Sequence, residues 1–167
     1  DPGRPLVCLN PAGVWATKQW PLERFVALGR RLVAETGCQL LALGAGPNQA
    51  RIAVMKEGIE APLIDLSGRT TAAQALAVVS RAALMVSEDS GLMHLAWVQG
   101  VPTLTMFGAT RWTWSRPEGP HTGGFYSEDL PCGACMQPVC GRGDRWCLER
   151  VSVDQVLERS LQLLARV

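Results

Sequence analysis

Short apolar runs alternate along the chain with longer segments in which apolar residues recur every three or four positions. The runs are apolar throughout, so they predict strands that are buried on both faces of a parallel sheet. They cover residues 6–9, 39–43, 63–66, 83–86 and 103–107. The periodic segments predict helices at residues 21–36, 48–56, 71–81 and 90–99, and from residue 152 onward. This alternation predicts an α/β protein with a Rossmann-like, doubly wound parallel sheet.

Local signals mark several helix ends. Pro21 suits the first position of a helix, and Gly37 suits the position just after its end. Residues 71–74 and 152–155 have the spacing of a capping box. Between about residue 109 and residue 147 the pattern is lost, and Trp, Pro, Gly and Cys become frequent. We interpret residues 1–167 as a single domain with a cysteine-rich loop at about 109–147.

Composition narrows the class of protein. The chain has 167 residues, of which 47% are hydrophobic and 19% are charged, as expected for one globular domain with a sizeable core. The formal net charge of +1 argues against binding to nucleic acid. No apolar run approaches the roughly 18 residues that a membrane span needs. The chain opens with Asp-Pro-Gly-Arg-Pro and no Met, from which we expect a piece of a longer protein.

Polar residues and glycines collect just after the predicted strands, where ligands of such sheets bind. Asp89-Ser90-Gly91 lies between the fourth strand and its helix. Free backbone N–H groups there favour an anion such as phosphate, and Gly91 allows a close approach. The same residues suit a plain helix cap at Asp89 or Ser90 equally well. His94, taken alone, is typical of a packed histidine.

Lys18, in the loop after the first strand, is a second candidate. It is flanked by Trp15 and Trp20, and exposed aromatic side chains in a loop are costly unless they have a role. Lys18 and the Gly91 turn could converge on one diphosphate. The fingerprint G-x-G-x-x-G is absent from the first turn, and Gly44-x-Gly46 is too short a match to replace it. A hydride-transferring dehydrogenase is therefore disfavoured.

Two segments resemble glycosyltransferase family 9, which includes the ADP-heptose:lipopolysaccharide heptosyltransferases. They are KQWP at residues 18–21 and SEDSGLMHLAWVQGVPTLTMFG at residues 87–108, which resembles the family's D-[ST]-G-x-x-H-L-A segment. The segment LSGRTTAAQALAVVSRA at residues 66–82 is similar too. The resemblance runs from about Leu6 to the final helix. It implies the C-terminal, nucleotide-sugar-binding half of a GT-B enzyme, in which two Rossmann-like domains face each other across a cleft.

The resemblance also implies site roles. Lys18 would meet the donor diphosphate, Ser90 and Gly91 would offer backbone N–H groups to it, and Asp89 would contact the sugar. The loop at residues 68–70 would lie near the nucleobase. The implied donor-binding residues are Gly13, Lys18, Arg69, Thr70, Asp89, Ser90, Gly91 and His94. The resemblance assigns the general base to an aspartate of the N-terminal half, so no catalytic residue is expected in this chain.

The implied reaction is inverting transfer from a nucleotide diphosphate sugar such as ADP-heptose, with a lipid-linked or lipopolysaccharide acceptor reached through the other half. A lysine and a helix N-terminus would stabilise the charge on the leaving diphosphate, so no catalytic metal or other cofactor is expected. One departure concerns the second loop, where heptosyltransferases often have a glutamate for the ribose. Residues 44–49 contain no acid here. Asn48 or Gln49 could form the hydrogen bonds to the ribose instead, and the identity of the nucleotide is left open.

The six cysteines fall into two groups. Cys8 and Cys38 stand alone in apolar runs and are typical of buried small side chains. The other four cluster within the predicted loop: Cys132, Cys135, Cys140 and Cys147. They predict a structural zinc site with four thiolate ligands and no open position for a substrate. Two disulfides and four free thiols are the alternatives, of which disulfides suit a reducing cytosol poorly.

Three functions are compared. The first is the donor-binding half of a heptosyltransferase-like enzyme of lipopolysaccharide or related envelope glycan assembly, in the cytoplasm or at the inner face of the inner membrane. The second is a nucleotide- or sugar-phosphate-binding module without catalysis. The third is a zinc-stabilised interaction domain that uses Trp112, Trp114 and Trp146. Nucleotide binding separates the first two from the third, and sugar transfer by the chain joined to its expected N-terminal half separates the first from the second.

Overall fold

The computed structural model describes residues 3–44, 46 and 48–165. Within them, six strands form: β1 (Leu6–Asn10), β2 (Gln39–Ala42), β3 (Leu63–Asp65), β4 (Leu84–Glu88), β5 (Thr103–Met106) and β6 (Thr122–Phe125). The α-helices are α1 (Leu22–Thr36), α2 (Asn48–Ile59), α3 (Ala72–Val79), α4 (Gly91–Val98), α5 (Trp112–Ser115), α6 (Trp146–Glu149) and α7 (Val153–Leu164). A 3₁₀ turn at Ala16–Lys18 follows β1. No helix in these ranges is long and apolar enough to cross a membrane.

The strands form one parallel sheet in the order β3-β2-β1-β4-β5-β6. This is the strand order of a doubly wound Rossmann-type fold, and it confirms the predicted fold class. Cys8 of β1 pairs with Leu41 of β2 on one side and with Met85 of β4 on the other. The chain therefore winds outward from β1 in both directions, and the switch point of the topology lies between β1 and β4.

Successive residues of the central strands enter two different cores, because side chains alternate across a sheet. Val7 and Leu9 pack against one face with residues of α1, α2 and α7. Cys8 points to the other face, where α3, α4 and the segment after α4 cover it through Val79, Ala96 and Val101. Both faces are thus covered. The runs are apolar throughout because neither face of the strand meets water.

The predicted helix ends are confirmed where the chemistry is local. Gly37 follows α1 with φ of 65°, a left-handed conformation that glycine adopts without a steric penalty. Thr71 and Ser152 each form a complete capping box with the glutamine three residues later. Pro21 is the residue that precedes α1 instead of its first residue. Helix α2 ends at Ile59, three residues beyond the predicted end.

Two predictions about strands were wrong. Strand β4 continues through Ser87 and Glu88, which the apolar pattern assigned to a loop. Strand β6, of sequence Thr-Gly-Gly-Phe, lies within the segment that was predicted to be irregular. Its glycines leave room for other side chains, since a Cβ on Gly124 would lie 2.1 Å from the Trp112 ring and one on Gly123 would lie 2.8 Å from Arg159 Nε. Glycines that serve packing in an edge strand look like turn glycines in the sequence.

Candidate functional site

The carboxyl ends of β1 and β4 lie side by side, and the loops that follow them run to opposite sides of the sheet. A crevice forms at such a point, and in doubly wound sheets it is where ligands bind. The loop after β1 contains Gly13 and Lys18, and the segment after β4 contains Asp89, Ser90 and Gly91. The fold therefore brings these five sequence-predicted residues to one place.

Lys18 and Asp89 contact each other across this crevice. The Lys18 ammonium Nζ lies 2.8 Å from Asp89 Oδ2, and their side chains are 19% and 9% exposed. The ammonium also lies 4.9 Å from the centre of the Trp15 ring, within the range of a cation–π contact. Lys18 is thus held at the mouth of the crevice by one carboxylate and one ring, and it still presents an edge to solvent.

Gly13 occupies a position that only glycine fits. Its backbone N–H donates to Glu88 Oε2 at 2.5 Å. A Cβ at this position would lie 2.8 Å from that oxygen and 2.8 Å from the Lys18 carbonyl oxygen. The side-chain amide of Gln19 donates to the Gly13 carbonyl at 2.8 Å and closes the loop on itself. Gly13 therefore sets the path of the loop that presents Lys18.

The N-terminus of α4 faces the same crevice. Ser90 is its capping residue and accepts hydrogen bonds from the Met93 backbone N–H at 3.4 Å and from the Asn10 side-chain amide at 2.8 Å. Gly91 opens the helix, and apart from its chain neighbours and the backbone of its own helix no atom lies within 4 Å of where its Cβ would be. The cap is thus Ser90, and Asp89 is paired with Lys18 instead. The first backbone N–H groups of α4 are positioned for an anion that approaches over Gly91.

A cleft of about 440 Å³ opens beside Gly91. It is lined by the loops that follow β1, β2, β3 and β4, mostly through apolar side chains such as Val14 and Leu95, with Asn48 and Thr70 among the polar ones. Such a cleft beside a helix N-terminus suits a ligand with a flat apolar part and an anionic part. Ala45 and Pro47 of the second loop lie outside the described residues.

The remaining predicted residues are less closely joined to the site. Thr70 lines the cleft, whereas the neighbouring Arg69 is exposed. His94 is half-buried on α4 with its ring 6.3 Å from that of Trp97, and it does not line the cleft. Arg69 and His94 therefore lie outside the crevice and the cleft. The other predicted residues lie together around them: Gly13, Lys18, Thr70, Asp89, Ser90 and Gly91.

Glu88 and Arg51 are functional candidates that the sequence did not indicate. Glu88 is fully buried at the end of β4 and pairs with Arg51 through two hydrogen bonds of 2.9 and 3.0 Å. Burial raises the pKa of the Glu88 carboxyl, while the guanidinium and two backbone N–H groups act in the opposite direction. The only signal in the sequence was an acid directly before Asp89. Nothing near Arg51 marked it as a partner.

Trp15 and Trp20 were both expected to be exposed beside Lys18, and for Trp20 this was wrong. Trp20 is fully buried, its ring meets that of Phe25 edge to face at 5.0 Å, and its indole Nε1–H donates to the Val151 carbonyl at 2.9 Å. Trp15 is half-buried under Lys18. Trp20 thus anchors the end of the loop in the core, and of these two rings Trp15 alone lies beside the Lys18 ammonium.

The four clustered cysteines line one cavity of about 200 Å³. The backbone N–H groups around Cys140, that of Arg145 foremost, hold the pKa of this thiol below its usual value. Burial raises the pKa of Cys147, and the negative charges of the other three cysteines raise it further. Within the described residues, no three His, Cys, Asp or Glu side chains are arranged to hold a metal ion. The zinc site stays a prediction.

Comparison with known proteins gives a consistent result. The profile of glycosyltransferase family 9 (heptosyltransferase) matches residues 1–144. The chain is 27% identical over 168 residues to lipooligosaccharide heptosyltransferase 2 of Campylobacter jejuni, which covers 97% of this chain and 52% of that protein. It is 29% identical over 151 residues to lipopolysaccharide heptosyltransferase 1 of Pseudomonas aeruginosa, which covers 84% of this chain and 39% of that protein. The chain thus spans about half the length of these relatives or less.

Solved structures share the fold. A family 9 glycosyl transferase from Veillonella parvula superposes with a TM-score of 0.85 at 23% identity, over 100% of this chain and 48% of that one. The Escherichia coli heptosyltransferase WaaC, solved with ADP, superposes with a TM-score of 0.75 at 20% identity, over 96% of this chain and 44% of that one. Because the family profile matches most of its length, the chain belongs to glycosyltransferase family 9, the heptosyltransferase family.

Proposed function

We propose that this chain binds the nucleoside diphosphate part of a nucleotide sugar and forms the donor half of an inverting glycosyltransferase of lipopolysaccharide core assembly. The observation that supports it most is the position of Lys18 and the α4 N-terminus at the β1–β4 switch point, beside a mostly apolar cleft of about 440 Å³. Family membership supports the glycosyl transfer, and the heptosyltransferase relatives support heptose as the sugar.

The proposed chemistry follows from charge. As the bond between sugar and diphosphate breaks, negative charge develops on the leaving phosphate oxygens. The Lys18 ammonium and the first N–H groups of α4 would stabilise that charge without a metal ion. We assign the acceptor-activating base to the other half of the enzyme, which belongs to the part of the relatives' length that this chain does not span.

Asp89 has two roles in this proposal. Its carboxylate holds Lys18 in place, and a phosphate that binds to the ammonium would compete for it. Released from Lys18, the carboxylate can accept hydrogen bonds from hydroxyl groups of the sugar. We propose ADP-heptose as the donor because a relative of the same fold was solved with ADP. Asn48, which lines the cleft, is the ribose partner that fits best in a loop without an acid.

The test is ligand binding followed by transfer. ADP, GDP, UDP and AMP are titrated against the 167-residue chain by calorimetry or NMR. We expect ADP to bind more tightly than AMP, because the second phosphate adds a partner for Lys18. Absence of binding by every nucleoside diphosphate would reject the proposal and favour an interaction domain. Binding without sugar transfer, once the chain is joined to an N-terminal half, would leave a non-catalytic binding module.

We also propose that Cys132, Cys135, Cys140 and Cys147 hold one structural zinc ion. The shared cavity supports it, and so does the lowered pKa of Cys140, which favours a thiolate ligand there. Backbone strain supports it too. Of the four non-glycine residues with positive φ in the described ranges, Ala134, Met136 and Arg145 lie between the first and last of these cysteines. Such strain persists only where the surroundings enforce it, and four metal–sulfur bonds would do so.

A further inference from the structure

The buried pair of Glu88 and Arg51 connects both ends of the loop that contains Lys18. At the start of that loop, Glu88 Oε2 accepts from the Gly13 N–H at 2.5 Å, and Arg51 Nη1 donates to the Pro11 carbonyl at 2.9 Å. At its end, Glu88 Oε1 accepts from the Trp20 N–H at 2.8 Å, and Arg51 Nη2 donates to the Trp20 carbonyl at 3.3 Å. One ion pair therefore fixes the two points between which residues 14–19 run.

Glu88 cannot act on a ligand directly. Its side chain is 0% exposed, whereas that of Asp89, the next residue, reaches the crevice and pairs with Lys18. Glu88 is the last residue of β4 and Asp89 is the first residue after it, and their side chains reach different partners: Glu88 meets the buried ends of the loop, and Asp89 meets Lys18. Both act on the same loop, Glu88 at its ends and Asp89 at its middle.

The cost of the pair argues for a geometric role. Removing two charges from water is expensive, and a buried ion pair is often no more stabilising than apolar residues of the same volume. Here the carboxylate accepts four hydrogen bonds, two from backbone N–H groups and two from Arg51, so each of its oxygens has two donors. Apolar side chains could fill this space, but they could not form hydrogen bonds that fix both ends of the loop relative to each other.

We infer that Glu88 and Arg51 are positioning residues that hold Lys18 where it meets the diphosphate of the donor. The inference rests on the proposed function for the role of Lys18, but the restraint on the loop stands on the contacts alone. It predicts that the pair contributes to diphosphate binding through Lys18 and not through stability of the fold in general.

A double-mutant cycle tests this dependence, with ADP as the probe and the 167-residue chain as the protein. Glu88→Gln keeps the size of the side chain but removes its charge. With Lys18 present, we expect it to weaken ADP binding about tenfold or more. In the Lys18→Ala background it should change ADP binding by less than about twofold. Equal losses in the two backgrounds, or no loss in either, would overturn the inference.

Amide hydrogen exchange gives a readout that needs no ligand. The Gly13 and Trp20 amides should exchange faster in Glu88→Gln than in Glu35→Gln, a control that removes an exposed ion pair of α1. If the wild-type chain binds no ADP, the proposed function fails, and the exchange rates alone decide whether the pair restrains the loop. Equal exchange in the two variants would overturn the restraint.

A second variant tests the same pair in case Glu88→Gln fails to fold. Arg51→Lys keeps the positive charge but cannot reach Glu88, Pro11 and Trp20 together. It should fold, exchange faster at Gly13 and Trp20, and lose ADP affinity only while Lys18 is present. If Glu88→Gln and Arg51→Lys both fail to fold, the pair is required for the fold as a whole and the inference is wrong.

Discussion

In our proposal, single charged residues determine which ligand binds, and Lys18 is the first of them. Lys18→Ala removes the ammonium from the crevice, and we expect it to weaken ADP binding by about 1–3 kcal/mol, the range for a charge-assisted hydrogen bond. Lys56→Ala, which removes an exposed lysine from the end of α2, is the matched control and should leave binding unchanged. Calorimetry on the three proteins measures the difference. An unchanged dissociation constant for Lys18→Ala would remove its diphosphate role.

Asp89 can now be tested as a ligand residue, because the structure assigns the helix cap to Ser90. Asp89→Asn should cost about 1–3 kcal/mol of stability, since the ion pair that it breaks is mostly buried. Binding of the nucleotide sugar should weaken by roughly 1.5–3 kcal/mol, because the sugar hydroxyl loses a charged acceptor. ADP itself should bind equally well or better, as Lys18 is freed.

The measurement compares ADP-heptose and ADP on the wild type and on Asp89→Asn, in the enzyme that joins this chain to an N-terminal half. Ser80→Ala, at the end of α3, serves as a control for stability. The same loss for both ligands, or none for either, would withdraw the sugar-binding role of Asp89.

At the scale of elements, the cysteine-rich loop is packed against the loop of Lys18. The Thr17 hydroxyl donates to the Gln137 carbonyl at 2.6 Å, and the Ala109 N–H donates to the Thr17 carbonyl at 3.0 Å. A Cβ on Gly108 would lie 2.1 Å from the Thr17 carbonyl oxygen, so only glycine allows the two backbones to come this close. The cysteine-rich loop and the segment before it therefore contact Thr17, the residue next to Lys18, directly.

We expect one zinc ion per chain in protein purified without added metal. Elemental analysis for zinc and iron measures it, since four thiolates suit both metals. Cys140→Ser should lose the metal and lower the thermal midpoint, because metal binding stabilises the folded state. Cys38→Ala, at a buried cysteine outside the loop, should retain the metal. A metal content near zero, together with four thiols that react with a thiol reagent, would reject the site.

At the scale of the whole molecule, our proposal places the acceptor-activating base and the acceptor site outside this chain. The chain spans 52% of one curated relative and 39% of another. We expect the purified 167-residue chain to bind ADP but to transfer no sugar, because the proposed base and acceptor site belong to the other half. A transfer assay with ADP-heptose and a lipopolysaccharide acceptor tests this, with the joined enzyme as the positive control. Measurable turnover by the chain alone would contradict it.

The sequence alone determined the features that depend on near neighbours. Apolar runs gave five of the six strands, and capping chemistry gave the ends of helices at Gly37, Thr71 and Ser152, because periodicity and turn chemistry act over a few residues. Lys18 and the Asp89–Gly91 turn were also predicted, since each follows a strand and the carboxyl ends of parallel strands share one edge.

Only the tertiary structure decided which of these residues meet. Glu88 pairs with Arg51, 37 positions away, and Lys18 pairs with Asp89, 71 positions away. Trp20 packs in the core, and its buried indole N–H is satisfied by a carbonyl 131 positions along the chain. Strand β6 was missed because its glycines accommodate Trp112 and Arg159, which no local pattern reveals. Contacts between distant segments depend on how the whole sheet winds, and a buried charge becomes tolerable only when the fold supplies its partner.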